Sequence, residues 1–150
     1  MSQTHHQHLY HIVWSTNERE PLISLELKQR TFEFLGGAFR KAGCIPIEIG
    51  GMQAHIHALV GIPPKFAVSD IVRDVKLCSS KWCNSNLSNR QQFSWQRGFG
   101  SFTVSTSQKE LTRRYIINQE EHHKIMAFKE EFIKLLEKHE ITFDPRYLWL

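Results

Sequence analysis

The segment "IEIGGMQAHIHALVGIPP", residues 47–64, carries two histidines, His55 and His57, separated only by Ile56. In a β-strand, alternate side chains share a face, so both imidazoles would point the same way, close enough to bind one cation. A third ligand is available in "RRYIINQEEHH", residues 113–123. If that stretch is helical, Tyr115 and Gln119 stand one turn apart on one side. Gln119 offers a carbonyl oxygen to a metal and Tyr115 a phenolic oxygen to a substrate. A phenol with a reference pKa of about 10 is a weak nucleophile unless it or its electrophile is activated. A divalent ion on His55, His57 and Gln119 would polarise a phosphodiester oxygen and orient the phosphorus for in-line attack by Tyr115. Such a transesterification stores the bond energy as a phosphotyrosine, so rejoining needs no nucleotide cofactor. Plainer readings compete: a partly solvated histidine pair on a sheet face, and a core tyrosine whose hydroxyl finds one partner. His122 and His123 compete as ligands, although their place at a helix end favours interaction with the helix dipole.

The elements that must position these residues follow from patterning. "HLYHIVWS" at 8–15 reads as a first strand. A helix is expected from Ser24, a plausible N-cap, to Gly43, with Leu27, Phe34, Leu35, Ala38 and Phe39 near helical spacing. Gly36 and Gly37 in its middle suggest close packing against another backbone. "CIPIEIGG" at 44–51 and "AHIHALVGI" at 54–62 read as an antiparallel pair joined through Gly50 and Gly51. Residues 68–87 read as a second helix capped by Ser69, "SNRQQ" as a loop, and 93–106 as strand broken by Gly98 and Gly100. Ser107 and Glu110 suggest a capping box opening the Tyr115 helix. A last amphipathic helix places Phe128, Phe132, Leu135 and Leu136 on one side. The order β-α-β-β-α-β plus further helices is the α+β, ferredoxin-like (RRM-like) pattern, an antiparallel sheet with helices on one face and the other free for function. Ala54, Ile56, Ala58 and Val60 would then face the helices, and His55, His57 and Leu59 the open side.

The chain has 150 residues, 41% hydrophobic and 23% charged, which suits one soluble globular domain over 1–150. There is no signal-peptide pattern and no apolar run near the roughly 20 residues that cross a bilayer, so a cytoplasmic location is expected. Cys44, Cys78 and Cys83 show no CxxC spacing and read as idle or buried thiols. His5, His6 and His8 read as a frayed terminal segment. Net charge is +4, but residues 65–114 hold nine basic residues against three acidic ones. With Trp82, Phe93, Trp95, Phe99 and Phe102 interleaved, that window suits single-stranded nucleic acid as well as it suits a solvated basic face over core aromatics. Lys76, Ser80 and Lys81, with Arg113 and Arg114 beside Tyr115, are the candidate phosphate contacts.

Taken together, these residues closely resemble the small single-tyrosine HUH transposases of bacterial insertion sequences, the REP-associated tyrosine transposases included. The resemblance rests on "HIH" at 55–57 and "YIINQEEHH" at 115–123, and runs on through "HIVWST" at 11–16, "EIGGM" at 48–52, "SSKW" at 79–82, "FSWQRGFGSFTVS" at 93–105, "FKEEFIKLLEKHEI" at 128–141 and the closing "RYLW". It implies a ferredoxin-like core, a Mg²⁺ or Mn²⁺ ion on His55, His57 and Gln119, and Tyr115 as the nucleophile that cleaves single-stranded DNA, becoming linked to the 5′-phosphate and leaving a 3′-hydroxyl. It also implies a homodimer that recognises hairpins near the element's ends, in which one subunit's tyrosine helix can complete the other's metal site. One departure stands out: the family usually carries an acidic residue just before the first histidine, whereas here Gln53 and Ala54 precede His55.

Two other functions fit parts of this pattern. A domesticated hairpin-specific nickase would use the same chemistry on other DNA. A non-catalytic single-stranded nucleic-acid-binding module would stack bases on open-face aromatics. The third strand offers none there, and such a module gives no reason for the Tyr115–Gln119 spacing.

Overall fold

A computed structural model describes residues 3–86 and 92–149. The elements run β1 (Leu9–Ser15), α1 (Lys28–Lys41), β2 (Ile45–Gly51), β3 (His55–Gly61), α2 (Val68–Asn86), β4 (Gly100–Val104), α3 (Lys109–Ile117), α4 (Gln119–His123) and α5 (Phe128–Lys138). The four strands form one antiparallel sheet in the order β2-β3-β1-β4, the α+β arrangement expected from the sequence. Ile12 and Trp14 of β1 and Ile56, Ala58 and Val60 of β3 face α1 and α2. There they bury against Leu35, Phe39, Ile71, Val72 and Val75.

The opposite face is not open. It carries Val13, Leu59 and Phe102, each at most 2% exposed. Apolar side chains in that number need a cover, and α3, α4 and α5 supply it. Phe132 and Leu136 of α5 pack on Val13 and Phe102, with Phe128, Phe143 and Trp149 around them.

How the covering helices seat is set by one row of the sheet. Gly50 pairs with His57, His57 with Val13, and Val13 with Gly100, so these four residues cross all four strands side by side. A Cβ on Gly50 would lie 2.7 Å from the carbonyl oxygen of Ile116, and one on Gly100 would lie 2.6 Å from Phe132 Cε2. Glycine at the two ends of the row therefore lets α3 lie directly on β2 and lets the Phe132 ring of α5 seat on β4. The two helices converge over His57.

Local details differ from the sequence expectation. α1 begins at Lys28, and Ser24 Oγ accepts a hydrogen bond from the Leu27 N–H (3.3 Å), one turn earlier than a cap. The Gly36–Gly37 pair meets no backbone: a Cβ on Gly36 would touch only side chains, the nearest at 3.8 Å, and one on Gly37 nothing. α2 begins before Ser69, which lies inside its first turn. The strand expected over 93–106 shrinks to β4, with Trp95 making a single bridge to Thr16. The capping box at Ser107 does not form. A 3-10 turn over Thr106–Gln108 leads into α3, and Glu110 pairs with Arg113 instead (2.7 Å). Leu87 and most of the loop read at 88–92 lie outside the described residues.

Two substitutions test this account. Gly37→Ala, on an exposed helical position with free space, raises unfolding stability in urea by about 0.5–1 kcal/mol. Gly50→Ala forces α3 off β2 and lowers it by about 1–3 kcal/mol.

Candidate metal centre and nucleophile

β3 delivers His55 and His57 to the covered face, where they are 2% and 0% exposed. The stretch holding Tyr115 and Gln119 is not one helix but two, α3 and α4, which meet at Asn118. The break is slight: the His122 N–H still bonds the Asn118 carbonyl (3.0 Å). Tyr115 and Gln119 stay on one side, over the histidines. Gln119 Oε1 lies 3.0 Å from His55 Nε2, and the Tyr115 ring stands edge-on to His57 at 5.7 Å. All four residues come together within a single chain.

Three further residues join them. His123 Nε2 lies 3.0 Å from Gln119 Oε1, so this imidazole points into the cluster rather than serving the helix end as the sequence suggested. Its spacing held the signal: Tyr115, Gln119 and His123 are successive steps of four on one helical face. His11 of β1 places Nε2 2.7 Å from His57 Nδ1. It thereby fixes the ring and leaves Nε2 of His57 facing the cluster. Glu131 of α5 is the hub. Its Oε1 lies 3.0 Å from His57 Nε2 and 3.2 Å from His123 Nε2, while Oε2 accepts hydrogen bonds from the Tyr115 hydroxyl and from Gln119 Nε2 (3.0 Å). Spacing did not single out Glu131; its one trace in the sequence is a carboxylate set inside the apolar stripe of Phe128, Phe132 and Leu135.

Burial governs the charges. It lowers the His55 imidazole to about 3, with His57 adding to the effect, and it keeps His11 neutral as well. Burial alone would raise the Glu131 carboxyl. Hydrogen bonds from His123 and His57 outweigh it and hold the carboxyl well below the usual range. The Tyr115 phenol is pushed above its ordinary value, first by burial and then by its bond to Glu131.

Imidazoles with converging Nε2 atoms are metal-ligand chemistry. Two donors bonded to one ion at about 2.1 Å stand about 3.0 Å apart when at right angles, and His55 Nε2 and Gln119 Oε1 have that separation. The donor atoms of His55, His57, His123 and Glu131 all lie within 4.8 Å of one another. His55, His57, His123 and Glu131, with Gln119 Oε1 beside His55 and His123, therefore have the donor types and spacing to hold a divalent ion.

A cavity of about 700 Å³ reaches the cluster from the β4 side. Tyr115, His122 and Glu131 line it together with Thr103, Lys134 and Lys138.

The candidate DNA contacts divide. Arg113 flanks Tyr115 but is bound to Glu110 and lies 3.5 Å from Glu48; Arg114 is exposed. Lys76, Ser80 and Lys81 sit on α2, behind the sheet, and are not brought to Tyr115. The Lys76 ammonium bonds the carbonyls of Gln96 (3.0 Å) and Gly98, and burial lowers it to about 8. Ser80 bonds the Leu77 carbonyl, and Lys81 is exposed. Among the described residues no helix is long and apolar enough to cross a membrane.

Comparison with known proteins gives this arrangement its context. Among solved structures, a candidate transposase of Deinococcus radiodurans R1 is 21% identical, with a TM-score of 0.61 over 79% of this chain and 98% of that one. A REP-associated tyrosine transposase bound to a REP hairpin is 15% identical, with a TM-score of 0.57 over 82% of this chain and 74% of that one. At these identities the likeness is one of fold. Among curated proteins the chain has no match. Residues 4–119 match the family model described as "Transposase IS200 like", most of the chain and all four residues singled out by spacing, with Gln119 as the last position matched. The chain belongs to the IS200-like transposase family.

Proposed function

We propose that this transposase cleaves and rejoins single-stranded DNA through a 5′-phosphotyrosine formed on Tyr115, with a Mg²⁺ or Mn²⁺ ion held by His55, His57 and Gln119. The observation that carries the reading is the convergence of Tyr115, which lines a cavity, and Gln119 on the His55–His57 pair, with Glu131 bonded to both the Tyr115 hydroxyl and His57. When bound, the ion supplies Lewis-acid polarisation of a phosphate oxygen. Imidazole ligands favour Mn²⁺ on affinity, and cellular supply favours Mg²⁺.

The chain's own residues account for the rest. Tyr115 is carried on a helix fixed by backbone contact, so its oxygen is positioned before substrate arrives. Attack forms the bond from the phenolic oxygen to phosphorus and breaks the bond from phosphorus to the 3′-oxygen, which leaves as a hydroxyl after gaining a proton. The phenolic proton is directed at Glu131 Oε2, which can accept it, and His122 Nε2, 3.5 Å from the hydroxyl on a side chain that lines the cavity, is a second acceptor on the way to solvent. His11 holds His57 in the tautomer that presents Nε2 to the ion. Rejoining is the same exchange with an incoming 3′-hydroxyl as the attacking group.

A strand entering the cavity passes Lys134 and Lys138 on α5, and these two are proposed as its phosphate contacts, with Arg114 flanking the nucleophile. Lys76, Ser80 and Lys81, on the far side, would meet only DNA that wraps the molecule, such as a hairpin beside the cleavage site. The solved relative bound to a REP hairpin supports such a substrate here. A homodimer is part of the same proposal.

Labelled single-stranded DNA from the element's ends, incubated with the protein and Mn²⁺, gives a covalent adduct on a denaturing gel. The adduct is absent with Tyr115→Phe and with chelator. Tight hairpin binding with no adduct from the wild type would instead identify a binding-only module. Replacing Lys134 and Lys138 together by alanine weakens single-strand binding and reduces the slope of log affinity against log salt by about 1 to 1.5, read by fluorescence anisotropy.

A further inference from the structure

We propose that Glu131 of α5 is itself a protein ligand of the metal, through Oε1, so that the C-terminal helix completes a site the family-matched segment leaves open. The proposal rests on the metal-centre reading above and extends it. Glu131 lies outside residues 4–119, the part that matches the family model.

Three observations carry it. The first is placement. Glu131 is 2% exposed, and its described ionic partners are His55, His57, His122 and His123; no lysine or arginine pairs with it among the described residues. A carboxylate is expensive to bury without a compensating positive charge. Its partners are imidazoles, a phenol and an amide, which supply hydrogen bonds, and a divalent ion among them would supply a full compensating charge.

The second is spacing. Oε1 stands 3.0 Å from His57 Nε2, 3.2 Å from His123 Nε2 and 3.7 Å from His55 Nε2. Neighbouring ligands of one ion at about 2.1 Å are separated by about 3.0 Å at right angles and about 3.4 Å at tetrahedral angles.

The third is division of labour within the carboxylate. Oε1 faces the imidazoles, while Oε2 holds the Tyr115 hydroxyl and Gln119 Nε2. One side chain would thus tie the ion to the nucleophile. Its oxygen also suits the donor set to Mg²⁺ or Mn²⁺, which take carboxylate more readily than an all-nitrogen site does.

The test is Mn²⁺ binding to the full chain without DNA, followed by loss of the free-ion signal in electron paramagnetic resonance. The wild type binds one ion, and His57→Ala abolishes binding. Glu131→Gln, nearly the same shape without the charge, weakens binding at least about tenfold, with an unfolding midpoint measured alongside in the absence of metal. Wild-type affinity in Glu131→Gln, with binding lost in His57→Ala, would overturn the role of Glu131 and leave the metal centre standing. No binding by the wild type would overturn both. If Glu131→Gln does not fold, infrared difference spectra of wild type carrying isotope-labelled glutamate decide the question. A glutamate carboxylate band that shifts on adding Mg²⁺ supports ligation, and unchanged glutamate bands in the metal-loaded protein overturn it.

Discussion

The site depends on one row of the sheet. Gly50, His57, Val13 and Gly100 lie side by side across four strands, with a ligand near the middle and a glycine at each end. Gly50 lets the backbone of α3 touch β2, Gly100 lets the Phe132 ring of α5 seat on β4, and the space left between the two helices lies over His57. Bulk at either end would lift a helix away from it. The Tyr115 hydroxyl, the Gln119 amide and the Glu131 carboxylate are brought to the imidazoles by that geometry, and each finds its partner because the helices can come no nearer and sit no farther away.

Enclosure then shapes the chemistry. Five polar side chains, those of His11, His55, His57, Gln119 and Glu131, sit in a space that excludes bulk water. Each must be satisfied by another, so the network fixes ring orientations and leaves few alternatives. The same dryness lowers the His11 and His55 imidazoles and raises the Tyr115 phenol, a resting arrangement rather than a reacting one.

Much of this was legible in the sequence, for identifiable reasons. Strand alternation put His55 and His57 on one face and Ile56 and Ala58 on the other. Helical spacing put Gln119 with Tyr115, and the slight break at Asn118 did not undo it. The element order gave the sheet topology. What the sequence did not disclose depends on contacts between distant segments. That α5 covers the histidine face follows from Val13 and Phe102 needing burial, and neither residue shows which face it occupies until the strands pair. Glu131 reads as one polar residue in an apolar stripe until α5 is seated. His11 becomes a partner of His57 only through the register of β1 on β3. The mistaken readings were local: Ser24, Ser69 and Ser107 are good capping residues, but tertiary packing set the helix starts elsewhere.

The backbone contact at Gly50 separates two kinds of sequence freedom. Because Ile116 meets the strand through its carbonyl, the outward residues of α3 contribute little to where the helix sits. Arg114 and its exposed neighbours can change while Tyr115 stays in register with His55 and His57. The outer and inner faces of a nine-residue helix can therefore evolve at different rates.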